Sequence, residues 1–360
     1  MKCSINIARY DSDIHGIITY KNKNAMNFNY VFFFDTADYY KIMFKDILHT
    51  NNVGFYGNLS INNKVLQFIK KVHCSSKLNS FINLPMKELW NKYYFQNTFG
   101  NNNRIIFVFH GAFFRLVDVN YFAYLRSMYP SCICIMLFTD TVNSYYKCFN
   151  GAFGRRFDIG LVKNTFDFVL SYNEVDARKY GLIYYPLWYS KVEMQDDIQD
   201  IDVFFIGRAK DRLNLIHKAY NELSNMGLKC KFFVLEVSKK EQIYEDILYN
   251  VELSYMEVLQ YVNRSRGILE LCQGGTCGFT LRCLEALTYN KNLITDNKIF
   301  DEVQNLRWAT SHKIMQYKGD IAFSKDEYYR VAAEKYTYKG EYSPKKLLEF
   351  LAMLVKDKHE

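Results

Sequence analysis

Two stretches in the second half of this 360-residue chain combine residue types and spacing suited to an anion. In the first, the apolar run Asp202 to Ile206 ends at Gly207 and is followed by Arg208, Lys210 and Arg212, three cations within five residues at the start of a helical pattern. Glycine lets the backbone turn sharply, and guanidinium and ammonium groups suit phosphate oxygens. The helix N-terminus that follows adds about 0.3–1 kcal/mol for an anion. The spacing fits neither a Walker loop nor G-x-G-x-x-G, and a solvated basic turn is the alternative. In the second stretch, an apolar strand through Glu270 and Cys272 runs into a loop carrying Gly274, Gly275 and Gly278, then into a helix that Thr280 can N-cap. Free amides at that N-terminus would face a diphosphate. Leu281, Leu284 and Leu287 supply the helix's core stripe. Glu285, a turn and a half farther in, could accept from both hydroxyls of a ribose; a surface i,i+3 pair with Arg282 is the alternative.

The first half must supply any general base. His110 follows the strand-like Ile105 to Phe109 and precedes Gly111, and Asp140 follows Ile133 to Phe138 in the same way. Either could take a proton from a hydroxyl held within about 3 Å. His110 could equally be a satisfied buried histidine, and Asp140 a helix cap. Asp35, after Tyr30 to Phe34, is a third choice. Asp11-Ser12-Asp13 is a D-x-D pair of the kind that binds a metal, but no strand pattern leads into it, and a polar turn is the preferred reading. No metal is therefore expected. The nine cysteines have no C-x-x-C or zinc-type spacing and read as buried, reduced thiols.

These residues need elements to position them. Apolar runs at 30–34, 104–109, 132–138, 166–171, 202–206, 231–235, 267–272 and 292–295 read as buried strands, and helical stretches such as 212–226, 256–266 and 280–289 lie between them. That alternation predicts an α/β fold with parallel sheets covered on both faces. A polar, acidic stretch at 193–200 separates two such patterns. We therefore expect two Rossmann-like, doubly wound domains, 1–190 and 200–340, facing across a cleft, with a C-terminal helix at 341–360. Ligands of such sheets bind beyond the strands' carboxyl ends.

Charge is uneven. Residues 1–190 hold 21 Lys and Arg against 12 Asp and Glu, whereas 191–360 hold 25 against 26. A basic first half suits an anionic partner. The charge is modest and no nucleic-acid reader motif is present, so nucleic acid is not the expected partner. Hydrophobic content of 49% with 23% charged residues excludes a disordered chain. There is no run of about 18 uncharged apolar residues, and Met1 to Asn6 lack the apolar core of a signal peptide, so a cytoplasmic protein is expected.

The strings Val203 to Lys210, Gly278 to Leu287 and Lys291 to Asn297 resemble the nucleotide-sugar-binding domain of GT-B glycosyltransferases, especially those of bacterial capsule and lipopolysaccharide loci. Phe166 to Tyr172 with Asp176 to Leu182 is similar to the end of the first domain in that group. The resemblance covers residues 130–300 and hardly touches the first 100. It implies an enzyme that moves a sugar from a nucleotide diphosphate sugar to a hydroxyl of a surface glycan or lipid-linked glycan, with no separate cofactor. Gly207, Arg208 and Lys210 would hold the donor diphosphate, the amides of Gly278, Thr280 and Leu281 would face it, and Glu285 would hold the ribose. Many retaining members carry E-x7-E, and Cys277 stands where the first Glu would be, which leaves the stereochemical outcome open. An epimerase or hydrolase of the same fold, or a binding module without catalysis, are the rivals. Members often act at the inner membrane face. Lys64, Lys70, Lys71 and Lys77, with Val65, Leu66, Phe68, Ile69 and Val72 among them, would form a basic amphipathic segment in peripheral contact with an anionic membrane; core packing with snorkelling Lys is the alternative.

Overall fold

The computed structural model describes residues 28–357, apart from 35–37, 57–60, 62, 76–77, 79–81, 83, 95–98, 100–103, 112, 114–118, 151–156, 195–197 and 303–312. Asp11, Asp13 and Asp35 lie outside the described residues. So do Lys77 and part of the acidic linker.

The first half forms a six-stranded sheet from β1 (Asn29–Phe33), β2 (Val53–Tyr56), β3 (Ile105–His110), β4 (Ile133–Phe138), β5 (Phe168–Ser171) and β6 (Ile183–Tyr184). Its order is β2-β1-β3-β4-β5-β6 and every pair is parallel. Its longer helices are α1 (Asp38–Met43), α2 (Lys64–His73), α3 (Val119–Met128), α4 (Val142–Asn150), α5 (Ile159–Thr165) and α6 (Glu174–Tyr180). Strands β1, β3 and β4 are buried throughout, as their unbroken apolar sequences require. Alternate side chains of β1 go to opposite faces: Tyr30 and Phe32 enter one core, Val31 and Phe33 another, where Phe33 stacks on Phe109 at 4.7 Å.

The second half repeats the plan with β7 (Ile201–Arg208), β8 (Cys230–Leu235), β9 (Leu248–Tyr249), β10 (Ser265–Glu270), β11 (Asn292–Thr295) and β12 (Ile314–Gln316). The order is β12-β11-β10-β7-β8-β9, again parallel throughout. Counted from β7, this is the 3-2-1-4-5-6 Rossmann order, whose switch point falls between β7 and β10. Helices α7 (Leu213–Asn225), α8 (Tyr255–Arg264), α9 (Leu281–Thr288) and α10 (Lys325–Ala333) cover it. Ser254 and Glu257 close a reciprocal capping box at the start of α8.

The crossing between domains is buried. Leu187, Trp188 and Tyr189 are all under a tenth exposed, and the Ser190 hydroxyl accepts from the Asp46 amide at 3.0 Å and donates to the Met43 carbonyl at 2.9 Å. The last helix, α11 (Pro344–Asp357), packs on the first domain: the Tyr30 hydroxyl donates to the Leu348 carbonyl, and Ser343 to Asp46. One hydrophobic core runs through both domains, joining Phe32 and Trp188 to Phe204, Leu284 and Leu351.

Candidate functional site

A cavity of about 180 Å³ opens at the switch point of the second sheet. From the second domain it is lined by Ile206 of β7, by Glu270 and Cys272 at the end of β10, by Gln273 and Thr276 of the Gly-rich loop, and by Arg212, Thr280 and Arg282. Asp140 and Tyr172 close it from the first domain, each just beyond a strand's carboxyl end. Residues from both sheets thus meet where ligands of such folds bind.

The structure sorts the basic turn after β7 differently from the sequence expectation. Arg208 points outward and pairs with Glu236 at 3.2 Å, both well exposed. Lys210, at a left-handed φ of 46°, donates to the Gln273 side chain at 2.8 Å. Of this turn's three cations Arg212 is the one that lines the cavity, and the sequence does not assign it a ligand role. A Cβ on Gly207 would sit 3.0 Å from its guanidinium, so glycine leaves the space that Arg212 occupies. Burial lowers the Arg212 pKa, and the neighbouring Cys272, Asp296, Asp211 and Glu270 oppose that shift. Arginine nevertheless stays charged in water-accessible sites.

Thr280 N-caps α9, accepting from the Cys283 amide at 3.3 Å, and its hydroxyl also donates to Glu270. Glu270 further accepts from Thr295 at 2.5 Å and Asn297 at 3.4 Å. Burial raises its carboxyl pKa, and these three hydrogen bonds work against the rise. Leu281 begins the helix, partly buried against the shared core.

Two residues expected at the ligand make contacts of their own. Glu285 is fully buried: it accepts from the Tyr255 hydroxyl at 2.6 Å and pairs with Arg282, beneath the cavity wall and not in it. The i,i+3 pair with Arg282 does form, but as a buried bridge whose Arg282 end lines the cavity. Gly278 packs against the first domain. A Cβ there would lie 2.2 Å from the Tyr172 carbonyl oxygen, and the neighbouring Cys277 carbonyl accepts from the Glu174 amide at 2.9 Å.

Of the two described proton-transfer candidates, Asp140 reaches the cavity and His110 does not. Asp140 is exposed, and one oxygen accepts from the Thr141 amide at 2.7 Å. His110 is 7% exposed and lies outside the lining, with Nε2 2.8 Å from the Tyr40 hydroxyl and 2.6 Å from that of Thr139. Cys277, in the place of the first Glu of E-x7-E, is buried in the shared core. The seven described cysteines are free thiols, and burial raises the pKa of the cavity-lining Cys272. Among the described residues no group of three or more His, Cys, Asp or Glu side chains converges as a metal site.

No protein-family model and no curated protein sequence matches the chain. Solved structures do. AviGT4, a glycosyltransferase involved in avilamycin A biosynthesis, superposes with a TM-score of 0.50 at 10% identity, over 92% of this chain and 96% of that one. T4 phage BGT in complex with its UDP-glucose substrate gives 0.42 at 10% identity, over 91% and 98%. SnogD, a glycosyltransferase from Streptomyces nogalater, gives 0.40 at 7% identity, over 91% and 95%. The likeness to AviGT4 is one of fold: two Rossmann-like domains in the GT-B arrangement.

Proposed function

We propose that this protein is a glycosyltransferase that takes a nucleotide diphosphate sugar in the interdomain cavity and transfers the sugar to a hydroxyl. One observation carries the reading: at the switch point of a GT-B fold, Arg212, Arg282 and the capped N-terminus of α9 line one wall, and a single open carboxylate, Asp140, faces them from the other domain. The two guanidiniums and the helix amides suit a diphosphate and stabilise the charge that develops on it as the leaving group. Arg208 and Lys210, at the rim, would add to that field once the loop closes on a ligand. Asp140 is placed to take the proton of the attacking hydroxyl. The acceptor we propose is a hydroxyl of a surface glycan of the capsule or lipopolysaccharide kind. Its support is the sequence resemblance of residues 130–300.

The test is thermal stability against a panel of nucleoside diphosphates and nucleotide sugars, followed by turnover. A ligand at about 100 times its dissociation constant stabilises by about 2.7 kcal/mol. The expected result is a selective shift with one nucleoside diphosphate, lost in Arg212→Ala. In Asp140→Asn the shift should persist while transfer falls by about 10²–10⁴. A folded sample that shifts with no nucleotide overturns the reading. Donor turnover that needs no acceptor would make the protein a hydrolase or epimerase instead.

A further inference from the structure

Helix α2 is turned the wrong way round for a surface helix of a soluble protein. Val65, Phe68, Ile69 and Val72 are 66%, 67%, 47% and 41% exposed, while Lys70 on the same helix is 7% exposed. The four apolar residues follow i, i+3, i+4 and i+7 spacing and so form one continuous stripe. Leu66 alone among the helix's apolar residues packs into the first domain's core. The helix is firmly made: Asn63 caps it, accepting from the Val65 and Leu66 amides at 2.9 and 3.1 Å.

A second segment with exposed apolar residues is tied to the end of α2. The His73 ring at the end of α2 accepts at Nδ1 from the Trp90 indole at 2.8 Å, which leaves Nε2 to donate to the Pro85 carbonyl at 2.7 Å. Those bonds hold Pro85 and Trp90 at the end of α2; Met86 and Leu89 between them are 55% and 60% exposed, and Ile82 just before them 62%. Seven of the fifteen large apolar side chains exposed among the described residues fall within 25 positions of sequence, four of them as one stripe on α2. Scattered exposed apolar residues are ordinary; a cluster of this kind marks an interaction surface.

Charge selects the occupant. Between Asp46 and Asp118 the sequence carries eight Lys and Arg and one carboxylate, Glu88. Lys64 and Lys71, seven apart and both exposed, line one flank of the apolar stripe. A symmetric pairing with a second copy would bring this excess of positive charge against itself. An apolar stripe flanked by lysines has the pattern of a helix that lies in the interface of an anionic bilayer, its apolar side chains among the acyl chains and its ammonium groups at the phosphates. No helix among the described residues is long and apolar enough to cross a membrane. We propose that the exposed apolar stripe of α2, flanked by Lys64 and Lys71, docks the protein onto an anionic lipid surface.

The inference rests on this face and not on the cavity, so the two readings fail separately. The test is co-sedimentation of the full chain with vesicles of phosphatidylcholine alone and with about one third phosphatidylglycerol, at low and high salt. The expected result is binding to the anionic vesicles that weakens with salt. Phe68→Ser/Ile69→Ser should lower that binding by about tenfold or more. Thermal stability and nucleotide-induced shifts should stay unchanged, because both side chains already face water. Lys64→Glu/Lys71→Glu should reduce binding and its salt dependence together. Absence of binding to anionic vesicles at low salt, or equal binding by the double serine variant, overturns the proposal. So does a wild-type dimer that the serine variant converts to a monomer, which would make a second copy the occupant.

Discussion

Glu285 stands on α9 where the sequence resemblance places a ribose-binding carboxylate, yet both its oxygens are taken: one accepts from Tyr255, the other pairs with Arg282. Tyr255 in turn reaches the Tyr189 hydroxyl at 3.2 Å on the interdomain crossing, so the carboxylate ties α9 to the crossing. Removing one member of a buried ion pair costs about 3–5 kcal/mol, because the other charge is left without its partner. Glu285→Ala should therefore lower unfolding stability in urea by about 3 kcal/mol, somewhat less where Arg282 reaches the cavity's water. Glu285→Gln, which can still accept from Tyr255, should cost less. A Glu285→Ala protein of unchanged stability that no longer shifts with any nucleotide would return the carboxylate to the ligand. Both stretches singled out in the sequence border the cavity, but the side chains that line it are not all those the sequence singles out. Residue type and spacing located Gly207 to Arg212 and Thr280 to Glu285, but which arginine faces the cavity depends on where each rotamer finds room. Arg212 finds it over Gly207, and Arg208 finds Glu236. Asp140, beyond the end of a fully buried strand, and Thr280, the cap of α9, are both singled out by the sequence and both line the cavity.

The eight strands read from apolar runs are the central ones, and all are present within two residues at each end. The four that escaped, β2, β6, β9 and β12, are the outermost strands of the two sheets. They have two to four residues each and are mostly half-buried, so they lack both the length and the unbroken apolar character that mark an interior strand. At the end of α8 the helical pattern runs on to Arg266, but Ser265 and Gly267 pair with Ile201 and Val203, and the sheet takes over. Where β10, α9 and β11 converge, Glu270 fastens all three through Thr280, Thr295 and Asn297. Its raised pKa has a consequence for the whole assembly. In the folded state it holds its proton to higher pH than in the unfolded chain, where a Glu titrates near 4.3. The contribution to stability is thus complete below about pH 4 and falls as pH rises through the folded value. Melting temperature followed from pH 4 upward should show a decline that Glu270→Gln flattens. An identical pH profile in the variant would mean that another group sets the slope.

The two domains touch where the Gly-rich loop meets the turn after β5. Asn173 donates to the Gly275 carbonyl and the Glu174 amide to that of Cys277, each at 2.9 Å, and Gly278 lies against the Tyr172 carbonyl. The cavity between them holds about 180 Å³, whereas sites for drug-sized ligands commonly span about 300–1,000 Å³. On the proposed function a nucleotide sugar exceeds this volume, and we expect its binding to draw the two domains apart at this contact. At Cys277 and Gly278 backbone meets backbone, so neither side can swing aside as a flexible side chain would. Replacing Gly278 with alanine puts a methyl 2.2 Å from the Tyr172 oxygen, closer than any real contact, and the loop must lift off the first domain. Gly278→Ala should raise the radius of gyration in solution scattering and speed proteolysis of the 191–200 crossing. It should cost about 1–3 kcal/mol of stability, as overpacking does. Nucleotide should bind the open form readily, while transfer falls because Asp140 no longer faces Arg212 across a closed cleft. If the radius of gyration stays at the wild-type value and transfer is intact, the loop has slid without moving its domain, and the hinge must be sought at the Trp188 crossing instead.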